Sequence, residues 1–202
     1  MTSPGTPARA PSLRDKQKIQ TRHALREAAL KLFAAQGYDA TTTEDIAEKA
    51  NVSTRTFFRY FPTKEAVLFL GGRDWIRSVA DEYPRQPASL SDLEAMCVAF
   101  AGTAPRLARR FQSLLLSRRA VASSPTLRGL QYDHQQEDIR NLAVAVAAHR
   151  GLPAADESCA LLADISLLAY RRALDTWLAS LAADDLAAII TEEFSRLREQ
   201  IA

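Results

Sequence analysis

The chain has 202 residues, 47% of them hydrophobic and 25% charged, with a net charge of +2, 7 Gly and 2 Cys. That is enough apolar material for a real core in one large or two small domains. It excludes a disulfide scaffold, because Cys97 and Cys159 form no CxxC pair, and a membrane span, because no apolar run reaches the ~18 residues that one needs.

The charge is unevenly placed. Residues 1–64 carry 11 Lys/Arg against 6 Asp/Glu, and the remainder carries 15 against 18. A basic head on a mildly acidic body points to a polyanionic partner for the head. No segment alternates with period two for long, and the Ala/Leu-rich stretches point to helix throughout. The two cysteines sit in apolar helical contexts and read as buried free thiols of a cytoplasmic protein. The first eleven residues lack the apolar core of a signal peptide.

In chain order, residues 1–13 read as a disordered arm rich in Pro, Ser and Thr. Its Arg9, with Arg14, can reach phosphates or a minor groove; an unbound tail is the plain alternative. A first helix is predicted over 14–36, with Leu25, Ala28, Ala29, Leu32 and Phe33 as its inner stripe and Gly37 as a left-handed stop. Residues 42–64 then read as two short helices, a tight turn and the start of another helix. Thr43 is expected to cap the helix over 44–50. Asn51 suits a left-handed turn, with Val52 filling the angle. Ser53 caps a helix over 54–61, and Pro62 ends it.

That second short helix has two unlike faces. Phe57 and Phe61, four apart, pack inward, with Leu25, Leu32, Phe33, Ile46 and Val52 completing a three-helix core. Thr54, Arg55, Phe58 and Arg59 share the other face. Arginine can hold guanine bidentately and an apolar ring can touch a thymine methyl, so this face suits a major groove. The plain alternative is a solvated helix with Phe58 in the core. Lys64 and the amides near Thr63 suit a phosphate, and Tyr60 stands beside them.

The stretch TTTEDIAEKANVSTRTFFRYFPTKEAVL, preceded by ALREAALKLFAAQGYDA, resembles the signature of TetR-type transcriptional regulators over about 14–70. The resemblance implies an all-α fold with a three-helix helix-turn-helix head, DNA recognition by Thr43, Ser53, Thr54, Arg55, Phe58 and Arg59, and a phosphate clamp at Tyr60 and Lys64. The family pattern usually has a small residue at Arg55 and Tyr at Phe58. Both departures fall on the base-reading face.

The helix after Lys64 should reach about residue 83, with a kink or break at Gly71-Gly72. Helices are then predicted from Ser89 or Ser91 to 101, from 106 to 122, over 126–149 and over 155–181, and from about 185 to the end. That makes about nine helices, with 14–63 as the head and 64–202 as a ligand-binding and dimerisation body. The basic run Arg106, Arg109, Arg110, Arg118 and Arg119 reads as a solvated face or as a contact for an anionic ligand group. Phe100, Phe111, Leu115, Arg118, Tyr170 and Trp177 are candidate ligand contacts, with buried core as the alternative. The last two helices have wide apolar faces. Leu168, Leu174, Leu178, Ile190, Phe194 and Leu197 are candidates for a dimer interface. A short helix-turn-helix reads few bases, which favours a homodimer on a palindromic operator.

The segments SRRAVASSPTLRGLQYDHQQEDIRNLAVAVAAHRGL and LLADISLLAYRRALDTWLA resemble, more faintly, the ligand domains of mycofactocin-type regulators. They imply an acyl-CoA or fatty acid-like effector. His134 with Asp138 or Glu137 has metal-ligand spacing but lacks a third partner. GxSxG, HExxH and a Gly-rich phosphate loop are missing, and His23, His134 and His149 offer no triad. No catalytic residue, metal or cofactor is expected. The competing reading is a helical interaction module whose head has lost specific DNA binding.

Overall fold

Side-chain caps set where the helices begin. The structure, a computed structural model, describes residues 12–201, and of 70–74 and 201 it describes the backbone alone. Ser12 opens α1 (Leu13–Gln36). Its hydroxyl accepts from the Asp15 N–H, and the Asp15 carboxylate accepts from the Ser12 N–H at 3.2 Å, a reciprocal capping box. The arm expected over 1–13, Arg9 included, lies outside the described residues except for its last two positions.

Thr42, not Thr43, caps α2 (Thr43–Lys49). The returned hydrogen bond decides between them. Asp45 stands three residues after Thr42 and accepts from its N–H at 2.9 Å, whereas Ile46 stands three residues after Thr43 and has nothing to return. Ser53 caps α3 (Thr54–Tyr60), accepting from the Thr56 N–H at 3.1 Å. Between α2 and α3, Asn51 takes φ 54°. Its N–H donates to the Glu48 carbonyl and that of Val52 donates to the Ala47 carbonyl. These two bonds form a Schellman stop, which needs a left-handed residue where Asn51 stands. Gly37 has φ 87° and ψ 159°, a region open essentially to glycine and not the left-handed helical cap expected.

The head core is Leu25, Leu30, Phe33, Ile46, Phe57 and Phe61, all buried. Leu32 and Val52, expected there, are only half-buried, and Leu30 takes the inner place. α4 (Ala66–Glu82) runs without a break through Gly71 and Gly72, against the interruption expected there. The described chain divides into two compact units at Val67 and Leu68.

The second unit continues with a 3-10 turn (Tyr83–Arg85), α5 (Asp92–Ala101), α6 (Ala104–Ala108), α7 (Phe111–Ser123), α8 (Pro125–His149), α9 (Glu157–Ala179) and α10 (Leu186–Ile201). Among the described residues there are ten α-helices and no strand. The one helix expected over 106–122 is two, because the chain leaves α6 at Arg109 and Arg110. There the Arg110 N–H donates to the Leu107 carbonyl at 2.8 Å in a tight turn. α9 packs against α8 and α10 and carries the unit's core, with Leu162, Leu167, Tyr170, Leu174, Trp177 and Leu178 all buried. It ends two residues before the 181 expected. Leu181 and Ala182 take positive φ there, and Leu181 points to solvent. Cys97 is half-buried and Cys159 buried, both as free thiols. No helix among the described residues is long and apolar enough to cross a membrane.

One polar knot ties four parts of this unit together. The Tyr83 hydroxyl donates to Asp92 Oδ1 at 2.9 Å, Arg150 Nε donates to Asp92 Oδ2 at 2.8 Å, and Arg150 Nη1 donates to Ser158 Oγ at 3.0 Å. Burial pushes the Asp92 carboxyl up, but the bonds from Arg150 and Tyr83 pull it down further, and the balance lies below its ordinary value. A carboxyl lowered in the folded state adds stability above its unfolded value and loses it as pH falls through the folded value. Arg150→Ala is therefore expected to lower the unfolding free energy at pH 7 by about 1–2 kcal/mol, for a partly exposed pair. The deficit against wild type should shrink below about pH 4; urea denaturation at pH 7 and pH 3 checks both.

Candidate nucleic-acid interface and body cluster

The head's outward face follows from the inward one. Phe57 and Phe61 are buried, with ring centroids 5.8 Å apart. One helical turn fixes the rest: Arg55, Phe58 and Arg59 come out exposed and Thr54 half-exposed. Phe58 is 51% exposed, which rules out the reading that makes it core. Its ring meets Phe57 edge-on at 5.4 Å, which holds it upright on the helix. The Arg59 guanidinium lies 5.1 Å from the Tyr60 ring centroid.

Beside this face is a groove of about 500 Å³ lined by Arg14, Gln17, Lys18, Gln20, Thr21, Arg59 and Tyr60. It joins the start of α1 to the end of α3. Three cations and several hydrogen-bonding side chains in one concave surface suit a phosphate backbone. Sequence reading took Arg14 as a reach toward phosphate and placed Lys18 in a basic cluster on the outer side of the first helix, but gave it no contact and missed Gln17, Gln20 and Thr21. Their spacing of three and four on α1 was the available signal. Ser53 and Thr43 stand at the starts of α3 and α2, where Thr43 Oγ1 donates to Glu44 Oε2 at 3.0 Å.

Lys64 sits differently from the expectation. It precedes α4 instead of opening it, and its ammonium turns inward. Nζ donates to the Tyr38 carbonyl at 2.7 Å and the Thr41 carbonyl at 2.8 Å, and lies 4.0 Å from the Tyr38 ring centroid. Two of its three N–H donors are thus committed to the loop before α2. The Tyr38 hydroxyl donates to Glu65 Oε2 at 3.0 Å and closes the same clamp from the other side.

In the second unit, the candidate ligand contacts separate into two groups. Phe100 and Tyr170 are stacked, 5.0 Å apart at 16°. Trp75 of α4, which sequence reading did not single out, stacks on Tyr170 at 4.1 Å. Burial pushes the Tyr170 hydroxyl far up, so it stays neutral. Phe111 and Trp177 form a separate edge-on pair at 5.2 Å, and Trp177 Nε1 donates to the Asp184 carbonyl. Leu115 is half-buried on α7, and Arg118 is paired with Asp175 at 2.7 Å. Arg106, Arg109 and Arg119 are exposed. The His134 ring lies 4.5 Å from that of Phe69, and no group of three or more His, Cys, Asp or Glu among the described residues could hold a metal ion.

The candidate dimer contacts need correction. Leu174, Leu178, Ile190 and Phe194 are buried in the unit's own core and cannot also supply a free face. Leu197 is half-buried, and Leu168 is 53% exposed. An amphipathic pattern reports only that a face is covered, and these four are covered from within the chain. The face left open on α9 is Leu161 and Leu168, with half-buried Ile165 between them.

Comparison with known proteins bears on these features. The family model described as "Bacterial regulatory proteins, tetR family" matches residues 25–69, and that described as "MftR C-terminal domain" matches residues 90–202. The chain is 39% identical over 97 residues to the HTH-type transcriptional regulator TcmR of Streptomyces glaucescens, covering 48% of this chain and 43% of that protein. It is 40% identical over 81 residues to the HTH-type transcriptional regulator HbdR of Aromatoleum sp. (strain CIB), covering 40% and 35%. Each match spans less than half the length of the relative. Among solved structures, Thermus thermophilus FadR, a repressor crystallised with lauroyl-CoA, superposes with a TM-score of 0.56 at 25% identity, covering 90% of this chain and 95% of that one.

The Lys64 clamp yields a test without DNA. Lys64→Met should lower the unfolding free energy of the chain by about 1–3 kcal/mol, because it leaves two carbonyls without their charged donor. Chemical denaturation followed by circular dichroism reads this; a lysine serving only as a phosphate anchor would leave the free protein's stability unchanged.

Proposed function

This chain belongs to the TetR family of bacterial regulatory proteins, and on that premise we propose that it is a ligand-responsive transcriptional repressor. It works in the cytoplasm and binds a palindromic operator as a homodimer. The observation that carries the reading is the exposed face of α3, where Arg55, Phe58 and Arg59 stand outward over buried Phe57 and Phe61. The Phe58 ring, half in solvent between two arginines, adds little to the isolated fold and is free to meet a partner. In a major groove the ring meets thymine methyls and the arginines meet guanine edges. The groove lined by Arg14, Lys18 and Arg59 adds contacts to phosphate that set register without reading sequence.

Homodimerisation is supported by the row of Leu161, Ile165 and Leu168 on α9, since leucines 62% and 53% exposed, two turns apart on one face, invite a second copy. A palindromic operator follows from two-fold symmetry. For the effector, the complex of Thermus thermophilus FadR with lauroyl-CoA supports an acyl-CoA or fatty acid-like molecule, as do the aromatic and aliphatic side chains of the second unit. α4 begins in the first unit at Ala66 and continues through the second to Glu82. An effector that binds better to one arrangement of α4 than to another shifts the head between states by that difference in affinity.

Selection of bound sites from random duplex DNA at two salt concentrations is expected to enrich an inverted repeat, with affinity falling steeply as salt rises. Weak, sequence-independent binding would instead favour a head that no longer reads bases. On the selected site, Arg55→Ala and Arg59→Ala should each lose about 1–3 kcal/mol and relax base preference at one position, read by competition binding. Leu168→Asp should leave helicity unchanged and shift the sedimenting species from dimer to monomer.

A further inference from the structure

The second unit holds buried polar atoms without hydrogen-bond partners among the described residues. Ser166 of α9 is fully buried, and its Oγ has no hydrogen-bond partner among the described residues. The buried Trp75 Nε1 has none either. Both belong to one locality. Ser166 stands one helical turn before Tyr170 on the same buried face of α9, and the Trp75 ring is stacked on Tyr170 at 4.1 Å. Arg171, next along, donates from Nη1 to Gln135 Oε1, while its buried Nε is also without a partner.

Unpartnered buried donors are rare because their desolvation is not repaid. A serine inside a helix normally turns its hydroxyl to the carbonyl four residues back, and others in this chain do so, as Ser117 does with Ser113. Ser166 does not. An indole N–H inside a core normally finds an acceptor, as Trp177 does in the Asp184 carbonyl. Trp75 does not. Two departures from these rules on one aromatic cluster point to an acceptor that comes from outside the chain.

We propose that Ser166 Oγ and Trp75 Nε1 form the polar anchor of the effector site and donate hydrogen bonds to a carbonyl oxygen of the ligand, whose apolar part lies against Trp75, Phe100 and Tyr170. This rests on the ligand-responsive reading above and narrows it. The effector is a carbonyl-bearing amphiphile, such as a thioester, and a plain hydrocarbon of the same length does not satisfy the site. The anchor joins α4 to α9, so filling it acts on the helix that leads into the head.

The test uses the full chain and two probes, lauroyl-CoA and S-dodecyl-CoA, which has a CH2 in place of the thioester carbonyl. Wild type should bind lauroyl-CoA about tenfold more tightly, and the preference should fall to within about twofold in Ser166→Ala/Trp75→Phe. The Trp75 indole N–H resonance, assigned by its loss in Trp75→Phe, should move on adding lauroyl-CoA, while that of Trp177 serves as the control. Equal binding of the two probes by wild type overturns the proposal. Thermal unfolding without ligand decides independently of effector class. Ser166→Ala should be at least as stable as wild type, because it deletes a hydroxyl that the fold does not use; a lower Tm means that the hydroxyl is structural, and overturns the anchor. If neither probe binds, the acyl-CoA reading fails, and the Tm result alone then retains or overturns the anchor.

Discussion

The head depends on a single turn. Asn51 in the left-handed conformation lets Val52 and Asn51 return hydrogen bonds to Ala47 and Glu48, which stops α2 and sets the angle at which α3 leaves it. With that angle fixed, Phe57 and Phe61 fall onto the inner side against Leu25, Phe33 and Ile46. Only one face of a seven-residue helix then remains for anything else. Each buried phenylalanine contributes roughly 1.5–3 kcal/mol by area, while the exposed Phe58 contributes nothing of that kind to the isolated chain. Packing and recognition therefore divide α3 cleanly.

The Lys64 clamp belongs to the same logic. A lysine ammonium can serve as a point charge for phosphate or as a donor to carbonyls. Here the loop over 38–41 presents two carbonyls within hydrogen-bond reach and an aromatic face below. The loop that enters α2 is thus fixed by a residue just before α4. The positive charge available to a polyanion comes instead from Arg14 and Lys18 on α1 and from Arg55 and Arg59 on α3, a wider surface than the motif alone marks out.

The second unit contrasts two ways of burying polar groups. Around Asp92, the carboxylate, a phenol, a guanidinium and a serine hydroxyl close on one another and bind four segments together. Around Tyr170, an indole N–H and a serine hydroxyl are buried with no partner among the described residues. The first arrangement serves the folded state on its own terms. The second leaves a desolvation cost that the proposed ligand carbonyl would offset.

Local chemistry was legible in the sequence. Helical character, the stop at Asn51, the cap at Ser53 and the two faces of α3 all rest on residues within one or two turns of each other, and the resemblance to TetR regulators rests on the linear order of such local signals. So did the cap at Thr42, had the acidic residue three places on been used to choose between adjacent threonines. What the sequence alone could not determine is what covers an apolar face. Leu174, Leu178, Ile190 and Phe194 show the same periodicity whether a partner chain or the chain's own helices bury them. Only the tertiary packing assigned them inward and left Leu161 and Leu168 outside. The same holds for Lys64, whose carbonyl partners lie 23 and 26 residues away, and for Trp75, which stacks from a distant helix on Tyr170, one turn beyond Ser166. Hydrophobic periodicity is a property of one helix, whereas burial and hydrogen-bond partnership belong to pairs of helices.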